Sequence, residues 1–387
     1  MKEITKKFDR LAVLLAGLSL VACSSEQGSD GGRSGGVRVA ISGEDIATEG
    51  IAFPTGSEVT IVDGWSIDLD HVLVTIGNVT LSENPDLMPS DQSRTGSVVA
   101  RADGPWAVDL TVEGTLPAAG GEGLATELVA LEGQTERDGR AFARDERYAF
   151  GYEIQEASDD ATLVNFEAGD DAHDAYLEML EAGGSVMYVG TARFEGSDCE
   201  VADETYDFGA FPKEVPFRLI FPTPASFVNC QNQDNQGEPF PDEEYQRGVA
   251  VPGQGLALAQ ITLHLEHFLF AATVHDPSLR FDQLAAQLVG KPEGTVLTLD
   301  DLVGVDPSAI TDGSGAAVPF RSCDGSPLPG GSQLAMDSGS VPIDPGAKPN
   351  VALRDYRDFL QYVQSTQGHL NGGEGLCFIE RHYPSPP

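Results

Sequence analysis

Three of the chain's seven histidines fall within Leu256 to Asp276, LALAQITLHLEHFLFAATVHD. His264, Glu266 and His267 place two imidazoles and a carboxylate in four residues, and His275 follows beside Asp276. Neutral imidazole nitrogen and carboxylate oxygen are the donors that zinc and copper accept. From Ala259 to Glu266 apolar and polar residues alternate, with Ile261, Leu263 and Leu265 against Gln260, Thr262, His264 and Glu266. That is the period of a half-buried strand, so His264 and Glu266 are expected on one face. His267 interrupts the alternation, which puts it on the apolar side or at a bulge that turns it toward its neighbours. Asp276-Pro277-Ser278 reads as a cap followed by a proline at the start of a helix, and a turn there would fold His275 back toward the strand.

The spacing is not HExxH, and His264-Leu265-Glu266-His267 is one residue short of the inverted zincin motif, so a helical metalloprotease site is not expected. The competing reading is structural: a solvated His264–Glu266 pair, a packed His267, and Asp276 acting only as a cap. His71 lies in Gly64 to Ile76, which alternates so that Ile67, Leu69, His71 and Leu73 share a face. An imidazole on that apolar face either satisfies itself by packing or meets His267 if the two strands stack. A second cation site is suggested after Cys230. Asn232, Asp234, Gln236, Gly237 and Glu243 fall at positions 1, 3, 5, 6 and 12 of the calcium-loop template, with Pro239 and Pro241 obstructing it and amides at two ligand positions. An acidic surface turn is the alternative there.

The ends of the chain bear on compartment. Lys2, Lys6, Lys7 and Arg10 precede an apolar run from Leu11 to Leu20, and Leu20-Val21-Ala22-Cys23 resembles the lipobox of bacterial lipoproteins. The resemblance implies removal of residues 1–22, acylation of Cys23 and, with Ser24 following, sorting to the outer membrane, the chain being held to the membrane by lipid alone. Without residues 1–22, which hold four of the 23 basic and two of the 61 acidic residues, 19 basic residues face 59 acidic ones, a formal charge of −40. Such a surface has no basic patch for phosphate backbones, which argues against nucleic acid as a partner, and it raises the local concentration of divalent cations. Cys199, Cys230, Cys323 and Cys377 remain, an even number in an exported chain, with three possible pairings. The shorter loops favour Cys199 with Cys230 and Cys323 with Cys377.

Ser24 to Gly36 is a tether without apolar content, leaving 37–250 as a β-rich domain and 251–387 as a second β-rich part with helices, continuous with the first or separate. Strands are expected at Val37 to Ile41, Gly64 to Ile76, Ser97 to Ala102, Trp106 to Val112, Leu128 to Leu131, Arg147 to Ile154, Ser185 to Phe194 and Val215 to Phe221. Three short helices are expected at Asp170 to Ala182, Ser278 to Leu288 and Leu353 to Gln367. Many short strands punctuated by Gly and Pro predict a mainly β fold, a β-sandwich or barrel-like and α+β in detail, with peripheral helices. Asp306 to Asn350 is rich in Gly, Pro and Ser, a long excursion or lid. No spacing ties His369 or His382 to a site.

No nucleophile elbow between a strand and a helix, and no Walker loop, is present. The part after the lipobox is similar to uncharacterised exported lipoproteins of Gram-negative bacteria at Gly104 to Leu110 (GPWAVDL), Phe227 to Asn232 (FVNCQN) and His264 to His267. That resemblance implies topology and compartment and carries no activity. The residues favour a lipid-anchored envelope protein that holds zinc or copper through His264, His267 and His275, with Glu266 and His71 as further ligands or as partners of the ligands. Capture, delivery or sensing of the ion would be its work, with an envelope protein as a possible partner. A surface lipoprotein that adheres without metal is the second reading. A zinc hydrolase, using Glu266 to activate water, is the third.

Overall fold

The alternation at Val37 to Ile41 and at Ala259 to Leu263 becomes two neighbouring strands. Val37, Val39 and Ile41 on one and Ala259, Ile261 and Leu263 on the other are buried. Strands Gly36–Ser42 and Leu256–Leu263 pair in parallel, Val39 beside Ala259 and Ile41 beside Ile261. They form the middle of a five-stranded sheet in the order Gly368–Leu370, Leu256–Leu263, Gly36–Ser42, Leu124–Leu131, Leu116–Pro117. A parallel pair needs a crossover. Here the crossover contains most of a second sheet, so stretches 37–250 and 251–387 share their strands.

That second sheet has ten strands and is built on Trp65–Ser82, 18 residues long where the sequence predicts a strand only to Ile76. Trp65–Ser82 pairs antiparallel with Val186–Phe194, Arg147–Ile154, Trp106–Asp109 and Val98–Ala102. Its register shifts between Leu69 and His71 and again between Gly77 and Thr80. The first shift moves His71 off the apolar face: Val72, Leu73 and Val74 are fully buried and His71 is not. Side chains of both sheets, among them Ile41, Ile261, Tyr188, Phe217 and Phe227, belong to one buried cluster. The fold is mainly β, 35% strand and 16% helical, sandwich-like and α+β in detail, with no closed barrel.

The computed structural model describes residues 35–54, 59–121, 123–241, 243–273, 278–329, 353–373 and 375–383. The expected signal peptide and Cys23, His275 and Asp276, and residues 330–350 of the Gly- and Pro-rich excursion, lie outside these residues. Among the described residues there are four short α-helices, Glu44–Glu49, Asp171–Glu181, Asp282–Ala285 and Tyr356–Gln364. The first was not expected. The second and fourth start at aspartate caps: Asp170 accepts from His173 N at 2.8 Å, and Asp355 from Asp358 N at 2.9 Å. None is long and apolar enough to cross a membrane.

All four described cysteines are in disulfides, but the pairing is Cys199–Cys323 and Cys230–Cys377, not the short-loop pairing expected from sequence. The reason is strand pairing. Val228 stands opposite Phe378, so Cys230 and Cys377 meet at the end of that antiparallel ladder. Glu200 stands opposite Ser322, which does the same for Cys199 and Cys323.

Beside Cys323 lies a buried charge cluster. The Asp63 carboxylate accepts from Phe281 N at 3.0 Å and Asp282 N at 2.9 Å, holding the start of the Asp282–Ala285 helix. Asp282 in turn accepts from Trp65 Nε1 at 2.8 Å and from Arg321 Nε at 3.0 Å. Burial first, and then the Asp282 charge, push the Asp63 pKa up to about 8, against the pull of Arg280, a backbone N–H and Arg321. A value raised in the folded state means that this group's contribution is fully present below its ordinary 3.8 and is lost as pH rises through about 8. Denaturant unfolding at about pH 5 and about pH 8.5 should therefore show the wild type losing more stability across the interval than Asp63→Asn. Equal losses in the two proteins would remove Asp63 from this role.

Candidate metal centre

Alternation holds only to Leu263, where the strand ends. His264 still donates its backbone N–H to Gln367 O at 2.9 Å, and the chain then turns into a 3-10 helix, Leu265–Leu269. Leu265, Phe268 and Leu269 are the buried residues that dictate this turn, with the Phe268 ring 4.9 Å from Tyr188 and 6.0 Å from Phe217. A 3-10 helix repeats every three residues, so side chains at i and i+3 lie one above the other. His267 N bonds His264 O at 3.3 Å and Phe270 N bonds His267 O at 3.1 Å, which brings the His264 and His267 rings to one side, 5.8 Å apart. His264 and Glu266 are therefore brought together by a turn and not by a shared strand face. His267 joins them without a bulge.

One ligand atom from each of His264, Glu266 and His267 lies within 4.8 Å of the others, the only such group of His, Cys, Asp or Glu among the described residues. His264 Nδ1 is 3.3 Å from Glu266 Oε1 and 3.8 Å from Glu44 Oε2. Burial alone would push the Glu266 pKa up, but the hydrogen bond from His264 and the charges of His264 and His267 outweigh it and hold the carboxyl at about 2. Glu266 is thus an anion throughout the neutral range. Its second oxygen, Oε2, is buried and makes no hydrogen bond among the described residues.

His267 Nδ1 lies 2.8 Å from Thr366 Oγ1, and Thr366 Oγ1 lies 2.7 Å from Val363 O. A hydroxyl has one proton, and a carbonyl can only accept. Thr366 therefore gives its proton to Val363 and accepts from His267 Nδ1–H. That fixes the tautomer of His267 and leaves Nε2 as the basic nitrogen. A third imidazole, His369, stands opposite Thr262 on the neighbouring strand, its ring 4.4 Å from His264 and 6.1 Å from His267. His267 and His369 are 5% and 6% exposed.

Of the other residues singled out from sequence, His275 lies outside the described residues. His71 is at a different place: its Nδ1 donates to Asp109 Oδ2 at 2.7 Å, and it shares a surface hollow with Asp70, Asp171, Asp174 and Arg218. The calcium-loop residues are engaged with other groups of the chain. Asn232 Oδ1 and Asp234 Oδ2 both accept from Asn371 Nδ2, at 3.2 and 3.1 Å, and Glu243 is spent on the buried guanidinium of Arg247. Gln236 donates back to Asp234 O in the same turn. His382 bonds Ser226 Oγ at 2.6 Å, and His173 lies in the first turn of its helix. His369, Thr366 and Glu44 are the site's neighbours that sequence spacing missed. Each reaches the site through long-range pairing.

No protein-family model, characterised protein or solved structure matches this chain. The site must be judged on its own geometry. Since the ring of Phe268 seats the turn, Phe268→Ala should lower the unfolding free energy by about 3–5 kcal/mol, the usual cost of emptying a buried aromatic position. Urea unfolding checks this, and a loss below about 1 kcal/mol would mean that the turn is held by something else.

Proposed function

We propose that this is a lipid-anchored cell-envelope protein that binds a transition-metal ion, zinc or copper, at His264, Glu266 and His267, and that captures, delivers or senses it. The observation that supports the reading is the convergence of three ligand groups within 4.8 Å on a turn held by core packing. Several features add to it. His267 presents one defined basic nitrogen, Glu266 is a permanent anion with a buried oxygen free of hydrogen bonds among the described residues, and the donor set suits borderline ions better than hard ones. The acidic surface favours the approach of any cation, while imidazole selects among them.

The full chain, purified without a histidine tag, should carry or take up about one equivalent of zinc or copper, and His264→Ala/His267→Ala should take up none while retaining its fold. Elemental analysis after dialysis, with circular dichroism as the check on folding, measures both. Affinity should fall steeply as pH drops through the imidazole range near about 6.5, because the ligand nitrogens must be neutral. A wild-type chain that takes up neither ion overturns the reading.

The anchor is tested separately. Radiolabelled palmitate should label the wild-type protein in a Gram-negative host, and Cys23→Ser should be unlabelled and recovered in the soluble fraction. Labelling that persists in Cys23→Ser would place the acylated residue elsewhere or remove the lipobox from the account.

A further inference from the structure

We infer that His369 is a third imidazole ligand of this centre and that, with Glu266 as the fourth, it closes the coordination sphere, so that the site holds an ion and does not hydrolyse a substrate. The inference rests on the metal reading above and goes on to say what kind of metal site this is.

The first support is placement. His369 stands opposite Thr262 in the Gly368–Leu370 pairing, two residues before His264 on the same strand path, and its ring approaches His264 at 4.4 Å. The three ring-to-ring distances are 4.4, 5.8 and 6.1 Å. Imidazoles bound to one tetrahedral ion at about 2.0–2.1 Å have centroids roughly 5 Å apart, a value these distances bracket. Binding would then call on rotation of the His369 ring to bring a nitrogen into the group formed by His264, Glu266 and His267.

The second support is the donor set. Three imidazoles and two carboxylates, Glu44 and Glu266, are drawn together where His267 and His369 are almost fully buried. Imidazole nitrogen and carboxylate oxygen are the donors that one borderline ion accepts together.

The third support is orientation. One partner outside the ligand set already fixes a ring, since Thr366 sets the His267 tautomer, and within the set Glu266 faces His264 Nδ1. Thr366 and His369 both belong to the short segment that follows the Tyr356–Gln364 helix. One piece of chain therefore supplies a ligand and a positioning residue. Three imidazoles and a carboxylate fill the four positions that zinc takes in closed sites, whereas a hydrolytic zinc keeps three protein ligands and one water.

The test compares wild type, His369→Ala, His369→Phe and Thr366→Val, all as the full chain, by competition titration with zinc and with copper and by X-ray absorption of the loaded proteins. His369→Phe refills the space left by the ring and guards against a merely unfolded variant. If His369 is a ligand, both substitutions weaken binding by more than about 100-fold, beyond the 10–100-fold typical of a partner outside the ligand set, and the absorption spectrum counts three imidazoles in wild type and two in the variants. Thr366→Val should fall within that 10–100-fold range and still show three. Wild-type protein that binds metal with two imidazoles, or with affinity unmoved in both His369 variants, overturns this inference and leaves the metal reading standing. Protein that binds neither ion overturns both.

Discussion

The antiparallel pairing of Gly368–Leu370 with the end of Leu256–Leu263 is the constraint on which the candidate centre depends. Only three residue pairs make the ladder, Ile261 with Leu370, Thr262 with His369 and Leu263 with Gly368, and the bond from His264 N to Gln367 O extends it by one step. A strand this short is weak alone. It is held from both sides. On one side the Tyr356–Gln364 helix buries Tyr356, Phe359, Leu360 and Val363, and on the other Phe378–Arg381 joins the second sheet beside the Cys230–Cys377 disulfide. Gly368 shows how close the approach is, since a Cβ there would meet Tyr152 Oη at 2.2 Å and the Phe227 ring at 2.5 Å. A side chain at that position would force Tyr152, Phe227 or the strand that carries His369 to shift.

The chain on the far side of the histidine turn is fixed by a different force. Phe270 bridges Leu279, Leu279 bridges Ile61, and Arg280 N returns to Leu269 O at 2.9 Å, so the stretch leaving the site is folded back on itself. Two residues later the buried Asp63 carboxylate takes the first N–H groups of the Asp282–Ala285 helix. Hydrophobic packing seats the turn, and a buried ionic cluster seats its exit. The ionic part is costly to desolvate, and Arg280 and Arg321 offset that cost.

Local patterns were legible where they recorded burial. Val37 to Ile41, Arg147 to Ile154 and the two helices with aspartate caps appear within a residue or a few of their expected bounds, because alternation and capping are properties of a few neighbouring side chains. The alternation from Gln260 to Glu266 misled at its end. Leu265 is apolar because the 3-10 turn buries it, and a turn with Leu265 inward mimics the strand period for one more residue. The disulfide pairing and the arrival of His369 were illegible for a common reason. Both follow from which strands lie side by side, and contacts across 147 residues between Cys230 and Cys377 leave no mark in local spacing. His71 shows the same limit on a smaller scale. One register shift before it turned a residue expected on the apolar face into the partner of Asp109.

If the site holds a metal, its chemistry would let so acidic a chain discriminate among cations. Surface carboxylates attract every cation and favour the hard ones that prefer oxygen, and their pull weakens as salt screens it. As a metal site the candidate centre would invert that preference, because its nitrogens come from largely buried rings and its carboxylate ligand, Glu266, is held ionised by the histidines beside it. On the proposed reading, net charge governs how often an ion arrives and the imidazoles govern which ion stays. Proton competition then falls on the histidines alone, since Glu266 has already lost its proton far below neutral pH. A site so built would release its ion on mild acidification and be indifferent to changes in pH at the alkaline side of the imidazole range.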